Sequence, residues 1–262
     1  MGFDAWFFAR LDYKDKEKRL NDKELEFVWR PSTEHLGNDV QIFTHTLYAH
    51  YSAPHGFDFD STSNDIPWVN DEKSKDFNSE SEAQALILQL EERADHYLTD
   101  DIFVLFGEDF KWMNAYQYYD SLDNMIEYMN THHGDRYHLK YSTPSDYVDA
   151  VFAHNVKWPT KYDDMFPYSD NPDAYWTGYF SSRPNDKEYI RRASYNFHAS
   201  SQQFAKTVID QSTDDATIKN IIDAKWEMLD DIGINQHHDA VTGTGKQAVA
   251  NDYAWRLFRG MK

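Results

Sequence analysis

The chain has 262 residues and carries 45 acidic against 26 basic side chains, a formal charge of −19 that argues against nucleic acid or an anionic membrane surface as partner. With 40% hydrophobic and 27% charged residues the composition is globular, and the absence of cysteine excludes a disulfide framework and thiolate metal sites. Eighteen Tyr, 17 Phe and 8 Trp make it rich in rings, which suits core packing and also surfaces that stack on flat ligands.

Residues 3–9 (FDAWFFA) read as a buried strand ending at Arg10. The opening MGFDAWFFARLDYKDK, with Asp4 and no small-residue cleavage site, carries no secretory signal, and no apolar run in the chain is long enough to span a bilayer. Residues 14–25 are charged and read as solvent-exposed; Glu26–Trp29 reads as a short strand stopped by Pro31, and residues 40–48 as another. A polar loop follows to about Asn78. From Ser79 to Leu98 the apolar period predicts a helix, with Ser79 and Glu82 in capping-box spacing and Ala83, Leu86, Ile87, Leu90, Ala94 and Tyr97 on one face. The run IFVLFG (102–107) has the character of a parallel strand buried on both faces. A helix over about 115–131, a strand over about 137–142 and a helix opened by Pro144 continue the alternation, which predicts βα units forming a parallel sheet or barrel. Residues 157–186 hold half of the prolines and read as a structured crossover; 186–211, 214–232 and 245–260 read as three helices of a second unit.

Two clusters could carry chemistry. Glu108 and Asp109 follow the apolar run, at the strand edge where parallel α/β folds place catalytic groups. A carboxyl held against Phe106, Phe110 and Trp112 has its charged form disfavoured, as a general acid requires; the alternative is an acid pair capping a helix. The second cluster, Gln236-His237-His238-Asp239, follows a helical stretch and suits zinc, although adjacent His side chains normally diverge, so one ligand is expected there. Thr131-His132-His133 reads as a helix end, and the spacing of His45, His50 and His55 fits no metal pattern. The Gly243–Gly245 segment fails as a phosphate loop, because Ala240 and Gln247 stand where Gly and Ser or Thr belong.

Four runs resemble glycoside hydrolase family 38, the class II α-mannosidases of lysosomal type: GFDAWFFARLDYKDK, VLFGEDF, FPYSDNPDAYWTGYFSSRP and NQHHDAVTGTGKQAVANDYA. They keep the order in which the family carries them. The resemblance implies a parallel β/α barrel-like domain, incomplete at its N-terminus, over residues 1–172, and a three-helix middle domain over 173–262. It implies Asp109 as general acid/base and His238 as a ligand of Zn²⁺. It implies Arg10, Tyr51, Trp176, His237 and Asp239 as residues that line the sugar site or approach its hydroxyls; Ser52 departs from the Asp or Asn usual there. The implied substrate is a terminal α-mannoside of an N-linked glycan, the mechanism is retaining, and the compartment is the lysosome or another part of the secretory pathway. The family's His-x-Asp pair and nucleophilic Asp precede the segment that opens here, so the chain reads as a fragment that by itself neither holds zinc tightly nor turns over mannosides. A non-catalytic binding remnant of the fold, and a metal-dependent hydrolase of another substrate, are the competing readings.

Overall fold

The computed structural model describes residues 2–209 and 214–261 and divides the chain into two compact units, Met1–Ala174 and Tyr175–Lys262.

The first unit is built on an open four-stranded sheet. Its strands are β1 (Ala5–Phe8), β2 (Glu26–Trp29), β3 (Ile42–Thr46) and β4 (Thr160–Lys161), in the spatial order β1-β3-β2-β4. β1 runs parallel to β3, with Ala5 opposite Phe43 and Phe8 opposite Thr46. β2 is antiparallel to β3 and parallel to β4. The expected all-parallel sheet is therefore a mixed one, and the described strands close no barrel. Hydrophobic patterning selects strands but not their direction; a connection through the short α2 (Thr33–Leu36) turns the chain back, so β3 lies antiparallel to β2.

The unit's longer helices are α1 (Tyr13–Asp22), α3 (Ser79–Ala94), α4 (Ala115–His132) and α5 (Pro144–Ala153). The charged stretch read as plain solvent-exposed chain is in fact α1, capped by the Asp12 carboxylate and closed by Lys23 in the left-handed region. Its Arg19 is buried, with the guanidinium 4.3 Å above the Phe27 ring and donating to Asp15 and to the Glu24 carbonyl. α3 starts where its pattern predicts but has no capping box. Ser79 donates instead to the Val69 carbonyl and to Asn70, while the Asn78 amide ties the helix start to Val69 and Pro67. Ala83, Leu86 and Leu90 face inward and meet Phe57, Phe59, Trp68, Tyr118, Met125 and Met129 in the largest core. Fully burying a side chain of this kind contributes roughly 1.5–3 kcal/mol. α5 is fixed at its start by a reciprocal Thr143–Asp146 capping box.

Two expected strands do not form. Residues 102–107 are half-buried, with Ile102, Val104 and Phe106 packed on the α3–α4 core and Phe103 on the sheet core. The segment pairs only at Gly107, through an isolated parallel bridge to Ser52. Residues 137–142 likewise form no ladder; the Asn130 side chain satisfies both the N–H and the carbonyl of Leu139. A strand exists only where a second backbone lies alongside, and apolar periodicity cannot supply that partner.

The second unit is helical. α6 (Pro184–Ile209), α7 (Asp215–Asn235) and α8 (Gln247–Gly260) each contact the other two, around Ile190, Ala193, Met228, Ile232 and Leu257. The last two residues of the helix expected over 186–211 lie outside the described residues. No described helix is long and apolar enough to cross a membrane.

Candidate active site

Because β1 and β3 are parallel, both chains leave the sheet at the same edge. Arg10 stands just past β1, and Tyr51 and Ser52 lie in the turn past β3. The Ser52–Gly107 bridge brings a third segment to that edge and delivers Glu108 and Asp109 there. A Cβ at Gly107 would lie 3.0 Å from the Tyr51 carbonyl, so the close approach of the two backbones depends on glycine.

The Tyr51 hydroxyl donates to Asp109 Oδ1 at 3.0 Å. That hydrogen bond is the leading reason the phenol titrates above its ordinary value. One residue along, Ser52 Oγ donates to Glu108 Oε1. Arg10 is near enough to lower the proton affinity of Tyr51 and of His50, whose imidazole burial already holds below its usual range. The enclosure expected for Asp109 is not found: Asp109 is exposed, and Phe110 beside it is 89% exposed. Both Phe110 and Trp112 adopt left-handed backbone angles, φ 64° and 66°. On the α1 side of this edge, Ala9, Leu11, Lys16, His50, His96, Tyr168 and Asp170 line an open cavity of about 360 Å³.

In the helical unit, α7 ends at Asn235 and the chain turns through His237, His238 and Asp239. The expected divergence of the two imidazoles does not occur. Their centroids are 4.1 Å apart at 49°, and His237 Nε2 and His238 Nε2 lie 3.6 and 3.9 Å from Asp239 Oδ2. Neighbours diverge in an extended chain; here the backbone is a tight turn, with Ala240 N donating to the His237 carbonyl. One ligand atom from each of the three falls within 4.8 Å of the others. Zinc–ligand bonds of about 2.0–2.2 Å in a tetrahedron put neighbouring donors roughly 3.3 Å apart, so a small contraction would let this triad share one ion. Neutral imidazole and carboxylate are the donor types zinc takes, and a four-coordinate site needs a further ligand.

The turn is rigidly backed. Thr244 Oγ1 donates to Asp239 Oδ1 at 2.7 Å, which is the main reason the Asp239 carboxyl titrates below its usual range, with the two imidazoles adding to it. Thr242 Oγ1 donates to the His238 carbonyl. The Thr242 carbonyl accepts from Ser182 Oγ at 2.6 Å and from Lys187 Nζ at 2.7 Å, and Arg183 donates to the Gly245 carbonyl. Gly243 has φ +73°, and a Cβ there would lie 2.8 Å from the Ser182 carbonyl. Trp176 lies in the same unit, in the run before α6, and is 41% exposed.

Sequence reasoning passed over several residues that shape these sites. Lys111, Asp58 and Asp60 tie down the Asp109 turn, and Arg183 and Lys187 hold the His237–Asp239 turn. Asp58 and Lys111 are too far apart in sequence for any spacing rule to pair them. His45, assigned no role, is fully buried, 2.9 Å from Glu26, which also accepts from Tyr147. His132 stacks on Tyr128 at the end of α4, as a structural helix-end residue would.

Residues 1–171 match the model of the glycosyl hydrolases family 38 N-terminal domain, and residues 174–262 match that of the alpha-mannosidase middle domain. The chain belongs to glycoside hydrolase family 38. It is 41% identical to a lysosomal alpha-mannosidase of Dictyostelium discoideum, with 99% of this chain and 25% of that protein covered. An alpha-mannosidase of Arabidopsis thaliana is 40% identical, covering 99% of this chain and 24% of the relative. The human lysosomal alpha-mannosidase is 37% identical, covering 99% and 26%. The family 38 chain described here thus spans about a quarter of the length of the curated relatives it matches.

Proposed function

We propose that this chain forms part of a zinc-dependent retaining α-mannosidase that removes terminal α-D-mannosyl residues from N-linked glycans. The observation that carries the reading is the Asp109 carboxyl at the open sheet edge, oriented by the Tyr51 hydroxyl, which Arg10 in turn influences, within a family 38 domain. Asp109 gives its proton to the glycosidic oxygen as the C–O bond breaks, and in the second half of the reaction takes a proton from the incoming water. Tyr51 holds one oxygen of that carboxyl and so fixes the direction in which the other presents its proton. The family mechanism also uses a nucleophilic carboxylate, to which none of these residues is assigned.

His238 is the residue proposed to hold Zn²⁺, with His237 and Asp239 approaching sugar hydroxyls; the convergence of their donor atoms also suits direct ligation by all three. When bound, zinc supplies Lewis-acid attraction for ring hydroxyls of the sugar. Trp176 offers an aromatic face to the sugar and Arg10 a positive charge for the nucleophile. The proposed domain boundaries are 1–172 for the catalytic part, a piece of a β/α barrel in the longer protein, and 173–262 for the middle domain. Relatives named as lysosomal support a lysosomal or other secretory-pathway location.

The test uses the longest form of the protein that hydrolyses an aryl α-mannoside, assayed with and without chelator. Asp109→Asn is expected to lower kcat by roughly 10²–10⁴ on a natural mannobioside, whose leaving group needs a proton, and much less on a dinitrophenyl mannoside. An unchanged rate on the disaccharide would remove Asp109 from the mechanism.

A further inference from the structure

The turn that carries Asp109 is one that its own residues do not favour. Phe110 and Trp112 are bulky and both sit in the left-handed region, and Phe110 is too exposed to secure the turn by packing. What holds it comes from the loop past Tyr51. Lys111 Nζ lies 2.8 Å from Asp58 Oδ2 and donates to Thr62 Oγ1 at 3.0 Å, and its side chain is only 15% exposed. The Trp112 N–H donates to Asp60 Oδ2 at 2.9 Å, while Asp60 Oδ1 accepts from the Thr62 N–H and hydroxyl. Asp58 is itself anchored: Tyr118 donates to its Oδ1, and its N–H donates to Asp65. The Trp112 ring stacks on Tyr118 at 4.1 Å, and its Nε1–H donates to the Phe106 carbonyl.

The geometry points to Lys111 as a positioning residue: its ammonium is a built-in cation between Asp58 and Thr62 that holds the 108–112 turn and thereby aims Asp109 at Tyr51. The inference rests on the reading of Asp109 as proton donor and adds a residue that acts on the reaction without touching the sugar. Electrostatics agrees with the geometry. The Asp58 hydrogen bond holds the lysine above its ordinary pKa, and although burial pushes Asp58 up, the bonds from Lys111, Tyr118 and the Asp60 amide leave it below the usual carboxylate range. Both partners are therefore charged across the range in which a glycosidase works, and the pin does not titrate away.

Lys111→Met keeps the length of the stem and removes the charge. In the 262-residue chain, hydrogen exchange is expected to show the Trp112 amide exchanging at least tenfold faster in the variant, with α3 and α7 amides unchanged. In the mannoside-hydrolysing form, kcat on a mannobioside is expected to fall about tenfold at constant KM, with the dinitrophenyl mannoside nearly unaffected. A folded variant whose Trp112 amide keeps its protection overturns the pin. Equal losses on both substrates overturn positioning and leave a merely stabilising lysine. If Lys111→Met does not fold, Lys111→Gln, which removes the charge and keeps a polar head, carries the same test with the same two outcomes. If Asp109→Asn itself shows no leaving-group dependence, the proton-donor assignment fails, and the exchange measurement still decides whether Lys111 holds the turn.

Discussion

The Asp109 turn and the His237–Asp239 turn present their functional groups by opposite means. The first is held from far away in sequence: Tyr51, Asp58 and Asp60 reach across some fifty positions to Asp109, Lys111 and Trp112. The second is held mostly from within: Thr242 and Thr244 bond back to His238 and Asp239, and Gly245 N donates to the Asp239 carbonyl. Only the outer side of that turn relies on distant residues, Ser182, Arg183 and Lys187 at the start of α6. A locally closed turn can be recognised as a motif, whereas one closed by tertiary contacts carries no signature until the loop that clamps it is seen.

Four substitutions sharpen this contrast. The largest stability loss is expected from Glu26→Ala in β2, since it orphans the buried His45 and Tyr147 together. Leaving two such groups without a partner costs about 3 kcal/mol or more, read as a drop in the denaturation midpoint of the first unit. Gly243→Ala comes next, at about 2–3 kcal/mol, because the new Cβ meets both an unfavourable φ and the Ser182 carbonyl; circular-dichroism melts of α6–α8 would report it. Gly107→Ala meets the Tyr51 carbonyl alone, at 3.0 Å and without a φ penalty, so about 1 kcal/mol is expected. Its clearer effect should be on Tyr51, whose phenol returns toward its ordinary pKa in an ultraviolet titration as the bond to Asp109 opens. If Gly107→Ala proves costlier than Gly243→Ala, the strain of the left-handed turn has been overrated.

The smallest effect concerns Asp239. Its folded pKa lies below the ordinary carboxylate value, so the stabilisation it brings is present above about pH 4 and is lost as pH falls through the folded pKa. Thr244→Val removes the main cause of that depression, and because the carboxyl is 48% exposed the cost is a few tenths of a kcal/mol at neutral pH. Stability curves of wild type and variant should converge toward pH 3; curves that stay parallel down to that pH would mean the threonine acts by packing rather than through the carboxylate.

Most helices were legible because their side chains repeat at the helical period: the apolar face of α3 is buried as its spacing predicts, and α6–α8 form where the pattern turns helical. The run 102–107 was legible as continuously apolar but not as to its state, since a strand needs a partner that lies elsewhere in the chain. α1 escaped notice because its one deeply placed side chain, Arg19, is a charged residue buried by an aromatic ring rather than an apolar one. At the sites, the four runs that resemble family 38 named Asp109, His238 and their companions, and the family matches agree with the family so named. They gave no hint of Lys111, Asp58 and Asp60, which hold the carboxyl in place.

The amino-acid order alone determined most of the helices, which residues carry titratable side chains, and the family the chain belongs to, because periodicity and motif spacing are properties of neighbours along the chain. The direction of β2, the openness of the sheet, the exposure of Asp109 and the convergence of His237 with His238 were decided only by tertiary structure. The first two depend on a second segment arriving at a particular place and angle, and pairing between distant segments leaves no local trace in either one; the last two depend on the backbone angles of a turn, which the order of side-chain types does not spell out.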